Sequence, residues 1–465
     1  MVDVSHISPD IFVLQKKVQK ISDLLGGTQA MRDAGKTYLH QMELESDPKY
    51  KARLSRSTLY PALSETLSQM CGRVFFEPIN TSAVANKIRN DIFLDVDLEG
   101  NNIDVFAANW FYSGLAYGIS YALVDYTKVG NAQTLADEKA LGARPYLVHI
   151  KPQSVLGFKH GMIGGKRQLT QFRYQEFITV DDGEFGTKTI RQINVYEIGR
   201  VRKYQETTLA DGKGGFVLVE DILLKAAGKT LSTIPIAAFI TKKTDQFFIG
   251  EPPLMDLADL NIKHWQSQSD QDNILNTARV PLLARFGSRA GEDMKIGDSV
   301  IEVPEDGDLR YIEHSGTSIN AGQASLKELE SQMRVAGAKL LDKTVLAMTD
   351  SQAREEQSKE ISLLRLYANR FEDALDLALD YIGMWLGISE VGNVEISGNI
   401  DADFDPAASM DTVIKMNAAG VLSKQTVFDE AKRRGLLSDS TEWEEEQVRV
   451  DSEGLDGGDF GNNDS

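Results

Sequence analysis

The sequence predicts an α+β chain, and three observations lead there. Up to about Tyr126 the apolar residues recur mainly at helical spacing. From Arg144 to about Lys243 polar and apolar residues alternate, with many β-branched and aromatic types. From Ile361 to Trp385 the apolar positions advance in steps of 3 and 4 without a miss. The 465 residues suggest about three domains at roughly 150 residues each. With 42% hydrophobic and 26% charged residues the chain carries enough apolar material for a sizeable core.

The first helix starts at Ser8-Pro9-Asp10, with Ser8 as cap and Pro9 at the first helical position. Phe12, Leu14, Val18, Ile21 and Leu25 carry it until Gly26-Gly27 stop it. A second helix holds Met31 and Tyr38. A third runs from about Tyr50 toward Val74, and Pro61 inside it should kink or split it. The uncharged stretch Val105 to Val124 has the length of a bilayer span but carries Asn109, Ser113, Gly114, Gly118 and Ser120. That is too polar for hydrocarbon, so it reads as a buried helix breaking near Gly118 into a strand, ISYALVDY. The first residues show no basic segment leading into an apolar core, so no secretory signal is expected and a soluble protein is.

The alternating region contains RPYLVHI, QLTQFRYQEFITV, TIRQINVYEIG, RVRKYQET and GFVLVEDILL. Turn formers at Gly161 to Gly165 and at Asp181-Asp182-Gly183 separate them. This is an antiparallel β region whose last strand begins at Ile234. After Gly250-Glu251-Pro252-Pro253 a helix runs from Leu254 to about Ala278. Its polar middle, Gln266 to Asn273, suits a surface against neighbouring subunits or solvent. A compact α/β insertion follows, with VPLLARFG, SVIEVP and LRYIEHSG as short strands. Helix resumes through Leu326, Leu329, Met333, Ala336 and Leu340.

DKTVLAM, from Asp342, breaks that pattern. Thr349 to Gln352 then fits a capping box opening a helix of about 37 residues, roughly 55 Å long, that ends at Gly387. VEISGNIDADF reads as one or two strands. A helical hairpin follows, Met410 to Ala419 and Ser423 to Arg434, with turns at Gly420 and Gly435. From Ser438 the chain is acidic and Gly-rich and is expected to be disordered.

Chemistry-bearing patterns are weak. Gly35-Lys36-Thr37 and Gly228-Lys229-Thr230 lack the glycine five residues upstream that a phosphate loop needs; Ala30 and Leu223 stand there. The six histidines show neither HxxxH spacing nor cysteine partners. Cys71 alone supports no internal disulfide and fits a small apolar helix position. A net charge of −19 argues against gripping nucleic acid by charge neutralisation. No cofactor, metal or catalytic residue is indicated.

Five segments carry a resemblance. They are GGTQAMRDAGKTYLHQME, SDPKYKARLSRSTLYPALSETLSQMCGRVFFEP and ANWFYSGLAYGISYALVDY, then VPEDGDLRYIEHSGTSINAGQASLKELESQMRVAGAKLL and LSKQTVFDEAKRRGLL. In this order they resemble the portal proteins, or head-to-tail connectors, of tailed bacteriophages. The likeness is greatest to the subgroup long labelled as a phage domain of unknown function. It covers nearly the whole chain apart from the acidic tail.

The resemblance implies a portal fold: a helical and β wing (1–250), a first stem helix (251–278), a small α/β clip (279–321) and a second stem helix (322–341). A tunnel loop (342–352), one very long helix with returning wing strands (353–405), a short helical crown (406–440) and the acidic tail (441–465) complete it. It implies a homo-oligomeric ring of twelve at one capsid vertex, non-enzymatic, without cofactor or membrane. Double-stranded DNA would pass through it without sequence specificity. Its partners would be the terminase large subunit, a head–tail adaptor, and the major capsid and scaffolding proteins, in the virion and, during assembly, the host cytoplasm. Lys343, Thr344 and Met348 would face the DNA channel, and Arg285 and Arg289 in the clip would dock the motor or adaptor. Ordinary solvation accounts for Lys343, and a clip–clip ion pair for the two arginines, about as well.

A ring closes head to tail only when each subunit offers two complementary faces. Twelve copies at −19 each carry −228 formal charges, which suits a conduit that must not hold a polyanion. The alternatives are another virion ring component such as a head–tail adaptor, or a metal-dependent nuclease built on scattered carboxylates.

Overall fold

The structure, a computed structural model, describes residues 3–127, 142–208, 214–226, 228–279, 282–286, 308–312, 317–341, 343–344, 361–398, 406–433, 436–437 and 441–456. Helices and strands are both abundant, and the α+β class holds.

The N-terminal layer is helical: α1 (Pro9–Leu25), α2 (Gly27–Ala34), α3 (Asp47–Arg56), α4 (Ala62–Val74), α5 (Asn86–Asp91) and α6 (Ile103–Tyr117). The inward stripe of α1 is Ile11, Leu14, Val18, Ile21 and Leu24, all buried. Phe12 lies just off it, half exposed under the Lys16 ammonium. Tyr38 falls outside α2, because a single 3-10 turn, Gly35–Thr37, ends the helix first. Pro61 splits the expected third helix into α3 and α4, as its missing N–H requires.

Asn102 caps α6 by accepting from the Val105 N–H, and Gly118 closes it in the left-handed conformation at φ 83°. A Cβ on Gly118 would overlap the backbone of Glu251, so position and conformation both demand glycine. From Gly118 the chain enters β1 (Ile119–Tyr126), whose first six residues are buried.

The alternating region forms two sheets, not one. β2 (Pro145–Ile150) pairs with one edge of β1. β3 (Val155–Ile163), β4 (Lys166–Asp181), β5 (Thr187–Glu197), β6 (Arg200–Thr208) and β7 (Gly214–Leu223) form an antiparallel meander in sequence order. The pair β8 (Lys225–Ala226) and β9 (Lys229–Thr230) closes its end. β10 (Ile236–Ile240) returns to the free edge of β1, with Ile119 opposite Ile240. The turn expected over Gly161 to Gly165 falls at Gly164-Gly165, and β3 continues through Gly161 to Ile163. A small ladder, β11 (Lys242–Lys243) with β12 (Gly250–Glu251), leads out of this region.

Two helices, α7 (Met255–Ala278) and α8 (Thr317–Ala338), frame β13 (Leu282–Phe286) and β14 (Asp308–Ile312), which pair antiparallel. SVIEVP lies outside the described residues. A 3-10 turn, Lys339–Leu341, leads from α8 to β15 (Lys343–Thr344), which pairs with β16 (Ile361–Ser362).

α9 spans Leu363–Leu386, 24 residues and about 36 Å, not 37 residues. Ser362 sets its start: its backbone is extended and its hydroxyl accepts from the Arg365 N–H. The apolar stripe of α9 lies across β10 and β1. Phe371 meets Trp110, Phe111 and Phe239 edge to face at 5.0 to 5.3 Å between centroids. Trp385 Nε1 donates to the Val124 carbonyl at 3.0 Å.

Of VEISGNIDADF, the described part forms one isolated bridge, Glu395 to Asn80, in place of the expected strands. The C-terminal part holds α10 (Pro406–Ala418), α11 (Lys424–Arg433) and α12 (Trp443–Asp456). The last of these corrects the expectation of disorder. Trp443 packs on Phe428 at 5.4 Å, and Arg449 pairs with Glu445 and Glu446 one turn away, which stabilises an otherwise acidic helix.

Candidate functional site

The β-pairs at the two ends of the α7/α8 hairpin contain three of the five residues singled out for function, Arg285, Lys343 and Thr344. In the polar middle of α7, expected to face outward, Asp270 is exposed and five residues are half-buried; the buried polar residues of the helix are Asn261 and His264, just before that run, with Ser269 and Gln271 inside it. Each except His264 is held by a hydrogen bond. Asn261 accepts from the Leu63 N–H and donates to the Tyr60 carbonyl. Gln266 donates to the Tyr38 carbonyl at 2.7 Å, and Ser269 accepts from the Ser57 hydroxyl at 2.8 Å. Gln271 donates to the Ile319 carbonyl of α8 at 2.9 Å, beside Gly322, where a Cβ would overlap its side chain. One side of the polar run is therefore a seam between α7, α8 and the N-terminal helices, while Asp270 and the half-buried residues leave its other side open to the exterior.

Arg53 of α3 anchors that seam. It is 2% exposed and donates through Nε and Nη2 to both carboxylate oxygens of Glu45, through Nη2 to the His40 carbonyl, and through Nη1 to Ser269. The guanidinium holds the Glu45 carboxyl below the ordinary carboxylate range. Asp270 adds a longer ion pair at 3.5 Å.

On the next turn of α7, His264 stacks obliquely on Tyr60, and its Nε2 lies 3.6 Å from Glu330 of α8. Burial holds this imidazole below its ordinary value, against the pull of Glu330. A cavity of about 130 Å³ adjoins it between α4 and α8, lined by Tyr60, Glu65, Thr66, Gln69, Glu330 and Arg334 among others.

The candidate DNA-facing residues fall at the near end of α8. Lys343 pairs with Ser362 and Thr344 with Ile361, so β15/β16 closes the base of the segment between them. Met348 lies outside the described residues. The clip candidates belong to the far end, about 33 Å away along the 22 residues of α8. Arg285 stands on β13 opposite Leu309, and Arg289 lies outside the described residues. Lys343 and Thr344 are thus brought together, and Arg285 is set apart from them.

Arg53, Glu45 and Gly322 were not singled out by the sequence. The one local signal is a glycine within a helix, Gly322, the sixth residue of α8 and ahead of its apolar-periodic run. The motifs weighed for enzyme-type chemistry take ordinary structural forms. Gly35-Lys36-Thr37 is a 3-10 turn, and Lys229-Thr230 is a short strand. Burial pushes the Cys71 thiol up to about 11, which suppresses thiolate reactivity. Among the described residues no group of three metal-ligating side chains converges, and no helix is long and apolar enough to cross a membrane.

A family model described as "Domain of unknown function (DUF4055)" matches residues 253–386, from the start of α7 to the end of α9. No curated protein matches the chain. Among solved structures, the chain is similar to one in the neck of an empty GTA particle computed with C6 symmetry. The identity is 11%, the coverage 81% of this chain and 90% of that one, and the TM-score 0.38. It is similar to one in the virion of the native gene transfer agent particle at 11% identity, covering 78% and 88%, with a TM-score of 0.37. A third, from the neck of the native particle computed with C12 symmetry, has 12% identity, coverage of 81% and 89%, and a TM-score of 0.38.

Proposed function

We propose that this chain is the portal protein of a tailed bacteriophage or phage-like particle. In this reading it is a non-enzymatic subunit of a ring of twelve at one capsid vertex. Double-stranded DNA is packaged and ejected through that ring, and terminase and a head–tail adaptor dock on it. The observation that carries the proposal is the succession α7, β13/β14, α8, β15/β16, α9. It is an antiparallel hairpin packed at its base on the N-terminal helices, with one small β-pair at its far end and a second leading into α9. Its next helix packs back on the N-terminal core. That is the stem, clip, tunnel-loop and returning-helix order which the sequence resemblance implies, and the family match spans the same stretch.

A channel for a polyanion must slide past it. A chain of net charge −19 suits that task, because each neutralised phosphate would add affinity through counterion release. Lys343 is the proposed transient phosphate contact, with Thr344 and Met348 beside it. Arg285 and Arg289 are the proposed docking cations. The capsid and scaffolding proteins would surround the same vertex.

The head–tail adaptor is the second reading, and the 24-residue length of α9 favours it more than a 37-residue helix would. One experiment separates the two. Particles assembled without this protein should contain no DNA if it is the portal, whereas loss of an adaptor leaves filled heads without tails. Negative-stain images of the purified protein should show a ring with a central hole. A persistent monomer, or filled heads in its absence, overturns the portal reading.

A further inference from the structure

We infer that the two hairpin tips at opposite ends of β4 join copies of this chain head to tail, the basic tip of one copy on the acidic tip of the next. β4 is 16 residues long, so at about 3.3 Å per residue its ends lie about 50 Å apart. At its start the two-residue turn Gly164-Gly165 has both residues in the left-handed region, at φ 57° and 77°. That turn sets Ile163 opposite Lys166 and Met162 opposite Arg167. Lys159, Lys166 and Arg167 are exposed there, and Met162 among them is 70% exposed. At the other end Asp181 stands opposite Thr187. The loop between those two carries Asp182, Glu184 and Phe185, the last 94% exposed.

Charge determines the occupant. From Lys159 to Arg167 the first tip carries three cations and no carboxylate, in a chain whose net charge is −19. The second tip sets Asp181, Asp182 and Glu184 against one cation, Lys188, which Asp182 holds at 3.4 Å. Among the described residues no ion pair engages Lys159, Lys166, Arg167, Asp181 or Glu184. Arg167 lies over the Phe247 ring, which leaves its charge unneutralised. The length of β4 keeps the tips apart, so neither supplies the other's counter-charge within one chain. A second copy supplies both, and it sets Met162 against Phe185 as an apolar contact between the charges. A polyanion would satisfy the basic tip alone and leave Phe185 in water. Each copy thus offers two different complementary ends, the condition for head-to-tail assembly that closes where the rotation permits. This assignment does not rest on the portal reading, since a ring can also close through other surfaces.

The test is analytical sedimentation of the full chain and of two charge-reversed variants. Lys159→Glu with Lys166→Glu leaves both tips net negative. Asp181→Lys with Glu184→Lys leaves both net positive. Every altered side chain is exposed, so the melting curves should stay unchanged. Each variant alone should associate about tenfold more weakly than wild type, because like charges then meet. An equimolar mixture of the two should recover the wild-type mass, since opposite tips face each other again. Wild-type association should also weaken between 0.1 M and 0.5 M sodium chloride. The inference is overturned by a mixture no heavier than its separate components, or by wild-type association that stops at two chains. Variants that associate as tightly as wild type overturn it and leave the portal reading standing. A wild-type chain that stays monomeric overturns both.

Discussion

Arg53 and Glu45 form a buried two-pronged ion pair, Nε to Oε1 at 2.8 Å and Nη2 to Oε2 at 2.7 Å, and the same guanidinium reaches Ser269 on α7. A charge 98% removed from solvent is tolerable only because its donors meet the Glu45 carboxylate, the His40 carbonyl and the Ser269 hydroxyl. Arg53 thereby joins α3 to a helix more than 200 residues later in the chain.

Arg53→Met should destabilise the protein by about 3–5 kcal/mol, because Glu45 is left buried without its partner. Replacing both, Arg53→Met with Glu45→Leu, should recover much of that loss, since the unpaired charge disappears with the pair. Urea unfolding of the two single variants and the double variant measures the coupling. A double variant no more stable than Arg53→Met alone would show that the pair acts through shape and not through charge.

Gly322 sets how closely α7 approaches α8. Gly322→Ala drives a methyl group into Gln271, and either the Gln271–Ile319 hydrogen bond breaks or the helices separate. The expected loss is about 1–3 kcal/mol, typical of overpacking, despite alanine's higher helix propensity. Adding Gln271→Ala should restore part of it. If Gly322→Ala instead raises the melting temperature, the close approach does not constrain the hairpin.

How much of this was legible in the sequence depends on where each residue's partner lies. The α6–Gly118–β1 junction was readable because its signals are local: an apolar run and a glycine at the turn. The split at Pro61 was readable for the same reason. The polar seam of α7 was not, because Gln266, Ser269 and Asn261 find their partners at Tyr38, Ser57 and Leu63. A polar side chain bound to a distant backbone reads in sequence like one bound to water. The two-sheet division was hidden likewise, since β1 chooses β10 over a separation of more than 100 residues. The start of α9 was misplaced because Ile361 keeps the helical spacing while Ser362, the residue after it, has left the helix. Acidic composition concealed α12, whose docking rests on one aromatic pair, Trp443 and Phe428.

Ser362 has two functions within one residue: it caps α9, and its backbone pairs with Lys343. Ser362→Ala removes only the first. It should cost about 1 kcal/mol by loss of the cap while the ladder remains. Ser362→Pro removes the backbone donor as well, and should loosen the segment between β15 and β16. Limited proteolysis there should accelerate in Ser362→Pro and stay near wild type in Ser362→Ala. Equal acceleration in both would place the hold in the hydroxyl alone.

His149 on β2 makes stability depend on pH in a definite direction. Its Nε2 lies 2.8 Å from the Ser120 hydroxyl and its ring meets the edge of Phe106. Burial, aided by Lys151, lowers its pKa from 6.5 to about 4. The unfolded chain therefore binds this proton first as the solution is acidified. The contribution of His149 is whole above about pH 6.5 and is lost between 6.5 and 4, on the order of 3 kcal/mol in all. Asp125, whose carboxyl is raised by burial beside Tyr196, pushes the opposite way, because its folded form takes up a proton more readily than its unfolded form. His149→Gln should keep the contact to Ser120 and flatten the fall in unfolding free energy between pH 6.5 and 4, while leaving the carboxylate-driven loss below pH 4 in place. An unchanged slope in that window would show that the imidazole is already charged in the folded protein.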